Sequence, residues 1–199
     1  MNLKIRQIVE ADRADWVRMR DALWLGSLSA HKAETHAYFV RPGLTALVFV
    51  AEVDNRLVGF LELGYRPYAE GCDSSPVPFI EGWYVESACQ GRGLGRALVD
   101  AAEASARADG YTEIASDVLI ENAESIAAHE ALGYEEVKRL VCFRKSLRYV
   151  DARRRGTGCP EQNRSHREAA VARTVRRRRL RIGQSSRFCG ATYGSAPLV

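Results

Sequence analysis

CQGRGLGRAL, residues 89–98, sets three glycines and two arginines between an apolar stretch and a segment of helical periodicity. Before it, FIEGWYV (79–85) reads as a strand. After it, Leu94, Ala97, Leu98, Ala101, Ala102 and Ser105 recur at helical spacing until Asp109-Gly110, a stop signal. The unit is strand, glycine loop, helix. Free backbone N–H groups at a helix N-terminus, together with the helix dipole, bind phosphate, and side chains at those positions would obstruct its approach. A phosphate-bearing ligand is expected. A Rossmann fingerprint would need a small residue at position 96, where this chain has Arg96, and a Walker loop would end in Gly-Lys-Ser/Thr. Neither fits.

The flanking elements define the sheet around this unit. LKIRQI (3–8) reads as a first strand, followed by a helix through Trp24 whose apolar side is Trp16, Met19, Leu23 and Trp24. ALVFVAEV (46–53), the turn residues Asp54 and Asn55, and RLVGFLELGYR (56–66) read as a β-hairpin. Beyond Gly110, YTEIASDV (111–118) reads as a strand parallel to the fourth, NAESIAAHEALGY as a short helix ended by Gly133, and VKRLVCFRKSL as a last strand. The fold class is α/β with a mixed sheet: antiparallel N-terminal strands and a central parallel pair.

Composition divides the chain after Tyr149. Residues 1–149 hold 17 Lys+Arg against 22 Asp+Glu, a net of −5, whereas residues 150–199 hold 12 arginines against 3 acids, a net of +9. Residues 1–149 are expected to be the working domain. Residues 150–199, Arg-rich and poor in large apolar groups, are expected to be a disordered or loosely attached C-terminal extension. No membrane-length apolar run or signal-peptide core is present, so a soluble, cytoplasmic chain is expected. The five cysteines are odd in number and lack metal-like spacing, so neither disulfide nor metal is expected.

Gln90-x-x-Gly93-x-Gly95 resembles the pyrophosphate loop of the GCN5-related N-acetyltransferases (GNAT). YAEGCDSSPVPFIEGWYV, QGRGLGRAL, ASD and HEALGYEE together narrow the resemblance to the aminoglycoside 6′-N-acetyltransferases. It runs through most of residues 1–147 and does not cover the tail. It implies a GNAT-like fold opening on an acetyl-CoA site. It also implies a homodimeric enzyme that acetylates aminoglycoside antibiotics at the 6′-amine and so confers resistance. The family's antibiotic contacts fall on Trp24, Tyr68, Glu81 and Asp117. Its cofactor contacts fall on the backbone of Trp83, Tyr84 and Val85, on Gly91, Arg92, Gly93, Leu94, Gly95 and Arg96, and on Asn122. Where these enzymes present a further acidic contact after the last helix, this chain has Lys138, with Glu135 and Glu136 just before it, and Glu136 joins the substrate-binding set. His129 stands where many members of the wider superfamily carry a thiolate-protonating tyrosine.

The residues themselves agree with that chemistry. An acidic domain attracts a polycationic substrate. An ammonium must lose a proton before its nitrogen attacks a thioester, and Glu81 and Asp117, on the two parallel strands, are the candidate catalytic carboxylates. A donor for the developing oxyanion is expected from β-strand backbone near Val85, freed by a bulge. Cys89 has no evident activating base, so direct transfer in a ternary complex is favoured over an acyl-cysteine. Two alternatives remain. The acceptor amine is instead a polyamine or peptide N-terminus, or the tail, with RRRR at 176–179, binds nucleic acid. That tail has only Phe188 and Tyr193 for stacking and no known module, so specific nucleic-acid recognition is not expected.

Overall fold

The computed structural model describes residues 2–24, 26–40 and 46–147. The elements in chain order are β1 (Leu3–Gln7), α1 (Arg13–Leu23), α2 (Leu28–Val40), β2 (Leu47–Val53), β3 (Arg56–Arg66), β4 (Val77–Val85), α3 (Leu94–Ala108), β5 (Ala115–Ser116) and α4 (Ala123–Ala131). They build a five-stranded sheet in sequence order, antiparallel from β1 to β4 and parallel between β4 and β5. Asp54 and Asn55 both take positive φ, +48° and +65°, as a tight hairpin turn between β2 and β3 requires.

Alternation along the strands fills both faces of the sheet. Phe49, Ala51, Leu61, Leu63 and Trp83 pack with Leu94, Leu98, Val99 and Ala102 of α3. The stripe on α3 follows the helical spacing of the sequence, and full burial of each Leu or Val in it contributes about 1.5–3 kcal/mol relative to exposure. On the other face Val48, Val50, Leu57 and Phe60 meet Trp16, Met19 and Leu23 of α1. Glu62 of β3 also points to this apolar layer. Removal from water pushes its carboxyl above the usual range, and Arg20 opposes that with bonds of 2.6 and 2.8 Å. Trp16 Nε1 donates to Glu62 as well, at 2.9 Å. The Arg20 guanidinium lies 4.7 Å from the Trp24 ring centroid, so this buried ion pair also seats Trp24 at the end of α1.

Two sequence expectations are corrected, and one helix stands in a segment with no expected element. Between Trp24 and β2, α2 occupies Leu28–Val40. Its buried residues are His31 and Thr35, so the inward face carries polar side chains and gives no apolar stripe. The strand expected over 111–118 pairs only at Ala115 and Ser116, since Tyr111 N–H is still bonded to the α3 carbonyl of Ala106 at 3.0 Å. The last strand expected over 137–147 is not formed. The backbone is irregular from 135 to 147, and Val137, Leu140, Val141 and Phe143 are exposed. Apolar residues run together at 140–143 there, so the segment has no single apolar face to press on a sheet. Residues 150–199 lie outside the described residues.

Candidate active site

The parallel pairing of β4 and β5 is confined to Phe79 with Ala115 and Ile80 with Ser116. Beyond that point the two chains separate. Glu81, Trp83 and Val85 continue on β4, and Asp117 follows directly after β5. The opening is thus built by the end of a parallel ladder, the place where open sheets containing parallel strands bind ligands.

At one side of it lies a cleft of about 240 Å³ lined by Trp83 and Val85, the loop and first turn of α3, and Ala128, Ala131 and Leu132 around the end of α4. Gly91 and Gly93 take φ of +70° and +80°, and a Cβ on either would meet nothing within 4 Å. These glycines therefore serve a backbone conformation that side chains resist and leave open space in front of it. Gly95 is different: its Cβ would come within 2.8 Å of the Trp83 ring, so glycine there lets α3 approach β4. Among the described residues, no side chain caps the N-terminus of this 15-residue helix. Its first N–H groups are left for a ligand, and the cradle fits a pyrophosphate. Arg96 Nη2 bonds the Ala131 carbonyl at 2.9 Å and ties α3 to α4. Asn122 is the N-cap of α4; its Oδ1 accepts from Ser125 N–H at 3.1 Å.

Glu81 and Asp117 do come together, through a residue that sequence reasoning missed. Arg66 donates Nε to Glu81 Oε1 at 2.9 Å, Nη2 to Glu81 Oε2 at 2.6 Å, and Nη1 to Asp117 Oδ2 at 3.3 Å. The β3–β4 register explains how Glu81 gets there. Glu62 faces Gly82 and Leu63 faces Ile80, so Glu81 is the extra residue of a β-bulge. The bulge lets Ile80 and Trp83, three apart, share one face of the sheet, while the Glu81 side chain lies over Gly64 of β3 on the other face. It falls at Glu81, not near Val85 as expected. Val85 pairs with Gly59, and its carbonyl accepts from Gln90 Nε2 at 3.1 Å.

Trp24 is half-buried and lies on Gly82, where a Cβ would come within 2.5 Å of its ring, so it borders the residue after Glu81. Tyr68, in the loop after β3, is 62% exposed and free to meet a ligand. Tyr84 directs its ring to Phe60, at 6.0 Å, on the face away from α3, which leaves only its backbone for the cleft. Glu136 is exposed and paired with Arg139 at 2.6 and 2.9 Å, which holds its carboxyl below the usual range. Among the described residues, no hydrogen bond or ion pair joins Glu136 to Glu81 or Asp117. Cys89 packs against the core on the α3 side. Among the described residues no group of three or more His, Cys, Asp or Glu would hold a metal ion.

His129 of α4 sits edge-on between Trp83 and Tyr134, each 5.4 Å away. Its Nδ1 lies 2.7 Å from the Ser125 carbonyl, which can only accept, so Nδ1 carries the proton. Nε2, 3.0 Å from Ser116 Oγ, is then the acceptor. Burial lowers its pKa below the ordinary 6.5, which favours the neutral ring, with its proton on Nδ1, at neutral pH. The linkage has a definite sign. Below 6.5 the unfolded chain takes up a proton before the folded one does, so stability falls as pH drops through that value toward the lower folded pKa. In denaturant titrations His129→Gln should lose this acid-side slope while matching the parent slope above neutral pH. Equal slopes in both chains would show that His129 titrates normally.

The family model "Acetyltransferase (GNAT) family" matches residues 8–134, and the chain belongs to that family. It is 42% identical over 148 residues to the aminoglycoside N(6′)-acetyltransferase type 1 of Klebsiella aerogenes, covering 72% of this chain and 96% of that one. Among solved structures, AAC(6′)-Iy in complex with the bisubstrate analogue CoA-S-monomethyl-acetylneamine superposes with a TM-score of 0.69 at 34% identity, over 73% of this chain and 99% of that one. The aminoglycoside 6′-N-acetyltransferase AAC(6′)-IG of Acinetobacter haemolyticus gives 0.67 at 35% identity, over 74% and 100%. Within the family, the chain falls in the branch of the aminoglycoside 6′-N-acetyltransferases.

Proposed function

We propose that this protein transfers the acetyl group of acetyl-CoA to the 6′-amino group of aminoglycoside antibiotics, by direct attack in a ternary complex, and so gives resistance to them. The observation that carries the reading is the pairing of two carboxylates, Glu81 and Asp117, at the opening beside a glycine cradle suited to a pyrophosphate. The likeness to aminoglycoside N(6′)-acetyltransferases supports the substrate class. Gly91 to Arg96 and the β4 backbone at Trp83 to Val85 hold the CoA, with the Asn122 amide alongside. Trp24 and Tyr68 border the antibiotic with Glu81 and Asp117, and Glu136 supplies an outer contact once it leaves Arg139. The ammonium gives its proton to a carboxylate or a carboxylate-bound water. Its nitrogen then forms a bond to the acyl carbon, the C–S bond breaks, and the thiolate takes up a proton. The half-buried Cys89, packed on the core, takes no part as an acyl carrier. We further propose that residues 1–149 form the acetyltransferase domain, that it works as a homodimer in the cytoplasm, and that residues 150–199 are an appended extension. No helix among the described residues is long and apolar enough to cross a membrane.

Free-thiol release followed over a panel of kanamycin-type aminoglycosides, spermidine and peptides should single out the aminoglycosides, with product analysis placing the acetyl group on the 6′-nitrogen. Turnover of spermidine or peptides alone would overturn the substrate class, and acetylation at another nitrogen alone would overturn the position.

A further inference from the structure

Arg66 ends β3, and its guanidinium lies 3.4 Å from the centroid of the Phe79 ring. It joins two acids that are 15 and 51 positions away in sequence, one from the β4 bulge and one from the residue after β5. Gly64, on the same face of β3 two residues earlier, makes the arrangement possible. A Cβ there would lie 2.9 Å from both Cγ and Oε1 of Glu81, so only glycine lets the Glu81 side chain lie flat on β3 with its oxygens turned to Arg66. Both oxygens of Glu81 are held by the fork, whereas Asp117 is met only at Oδ2. Burial works against the Arg66 charge, and the two carboxylates more than offset it.

This geometry sets the charge that an incoming amine encounters. Two bare carboxylates would present a charge of −2 and would hold an ammonium tightly in its unreactive, protonated form. Tight binding of that ground state lowers KM and does nothing for turnover. With the guanidinium attached, the group presents −1. His129 of α4 also faces Asp117, with its pKa lowered by burial, and among the described residues the cation bonded to both Glu81 and Asp117 is Arg66. Resting on the acetyl-transfer reading above, we propose that Arg66 is a positioning and specificity residue: it fixes Glu81 and Asp117 relative to each other and weakens their grip on the substrate ammonium, so that the amine is oriented yet can release its proton. The arrangement suits an acceptor that brings one ammonium to this point on an otherwise polar ring, and disfavours a small dication seated between two bare acids.

The test is steady-state kinetics of R66M and R66K with kanamycin, after thermal melting and acetyl-CoA binding have shown that each variant is folded. Methionine keeps the contact with Phe79 and removes the charge. R66M should lower the kanamycin KM about three- to fivefold, as befits one partly exposed charge. It should also lower kcat about tenfold or more through lost orientation, while the acetyl-CoA KM stays unchanged. The drop in KM should shrink between low and physiological salt. R66K restores the charge without the bidentate fork, so KM should return to the parent value and kcat only in part. Parent values of both constants in R66M would make Arg66 an idle surface pair. Raised KM for both substrates with a lower melting temperature would make it a structural strut. A lower kanamycin KM with undiminished kcat would make the guanidinium a mere occupant of the ammonium's place. Each of those results overturns the assignment. If R66M does not fold, R66Q compared with R66K carries the same split. Absence of kanamycin turnover in the parent enzyme, by contrast, would remove the proposed function itself and this assignment with it.

Discussion

Asp117→Asn should lower kcat on a good aminoglycoside by about 10²- to 10⁴-fold, the range for loss of a group that accepts a proton in the transition state. Asparagine keeps the shape and removes the charge. Because Asp117 is not among the residues lining the cleft at the glycine cradle, acetyl-CoA binding measured by calorimetry should be preserved. Glu81→Gln should act in the same direction, since the bulged residue loses the charge that Arg66 holds at 2.6 and 2.9 Å. Stopped-assay kinetics with both substrates varied separates the two contributions: an effect confined to kcat marks an interaction made only in the transition state, and one confined to KM marks binding alone. Near-normal turnover in both variants would remove these carboxylates from the proton path.

Gly93→Val should raise the acetyl-CoA KM about 10- to 100-fold, the loss of one or two hydrogen bonds to a charged group, and leave the aminoglycoside KM close to the parent. Two effects combine. The residue has a φ of +80°, which a β-branched side chain adopts only under strain, and the Cβ would project into space where, among the described residues beyond its chain neighbours, nothing comes within 4 Å. Nothing in the fold is displaced, so the side chain obstructs the ligand and not the core. Gly110, φ +88°, also with nothing within 4 Å, provides the control. It follows the other end of the 15-residue helix α3, about 20 Å away by helical rise. Gly110→Val should destabilise the fold to a similar degree and leave the acetyl-CoA KM unaltered. A rise in KM in both variants would mean that strain, not occlusion, is being read, and an unchanged KM in a folded Gly93→Val would end the phosphate-cradle reading.

The local devices of this fold are legible in the chain itself. The Asp54-Asn55 turn, the apolar stripe on α3, the glycines before it and the stop at Asp109-Gly110 each depend on residues within one or two turns of one another, so periodicity and turn chemistry place them. The glycine cradle belongs to this group, because a positive φ and an uncapped helix start are local properties. Helix α2 escaped because burial of His31 and Thr35 inverts the apolar signal that marks a helix face. The run VKRLVCFRKSL carries apolar and aromatic residues suited to a strand but no alternation, and residue type alone does not make one.

What the tertiary structure decided is the charge geometry of the site. The candidates Glu81 and Asp117 could be named from their positions, yet the bulge that singles out Glu81 exists only in the register between β3 and β4. Arg66 reads in sequence as an ordinary strand-end arginine. It becomes the link between two acids because Gly64 leaves room beside it and because β5 pairs with β4 for two residues and then departs. The β2–β3 hairpin, helix α3 with the glycine loop before it, and the candidacy of the two acids are all readable from neighbours along the chain. That those acids share one guanidinium, and that His129 is withdrawn from water, follows from register, burial and contacts between residues up to 51 positions apart, which are set by a packing of strands that no local pattern specifies.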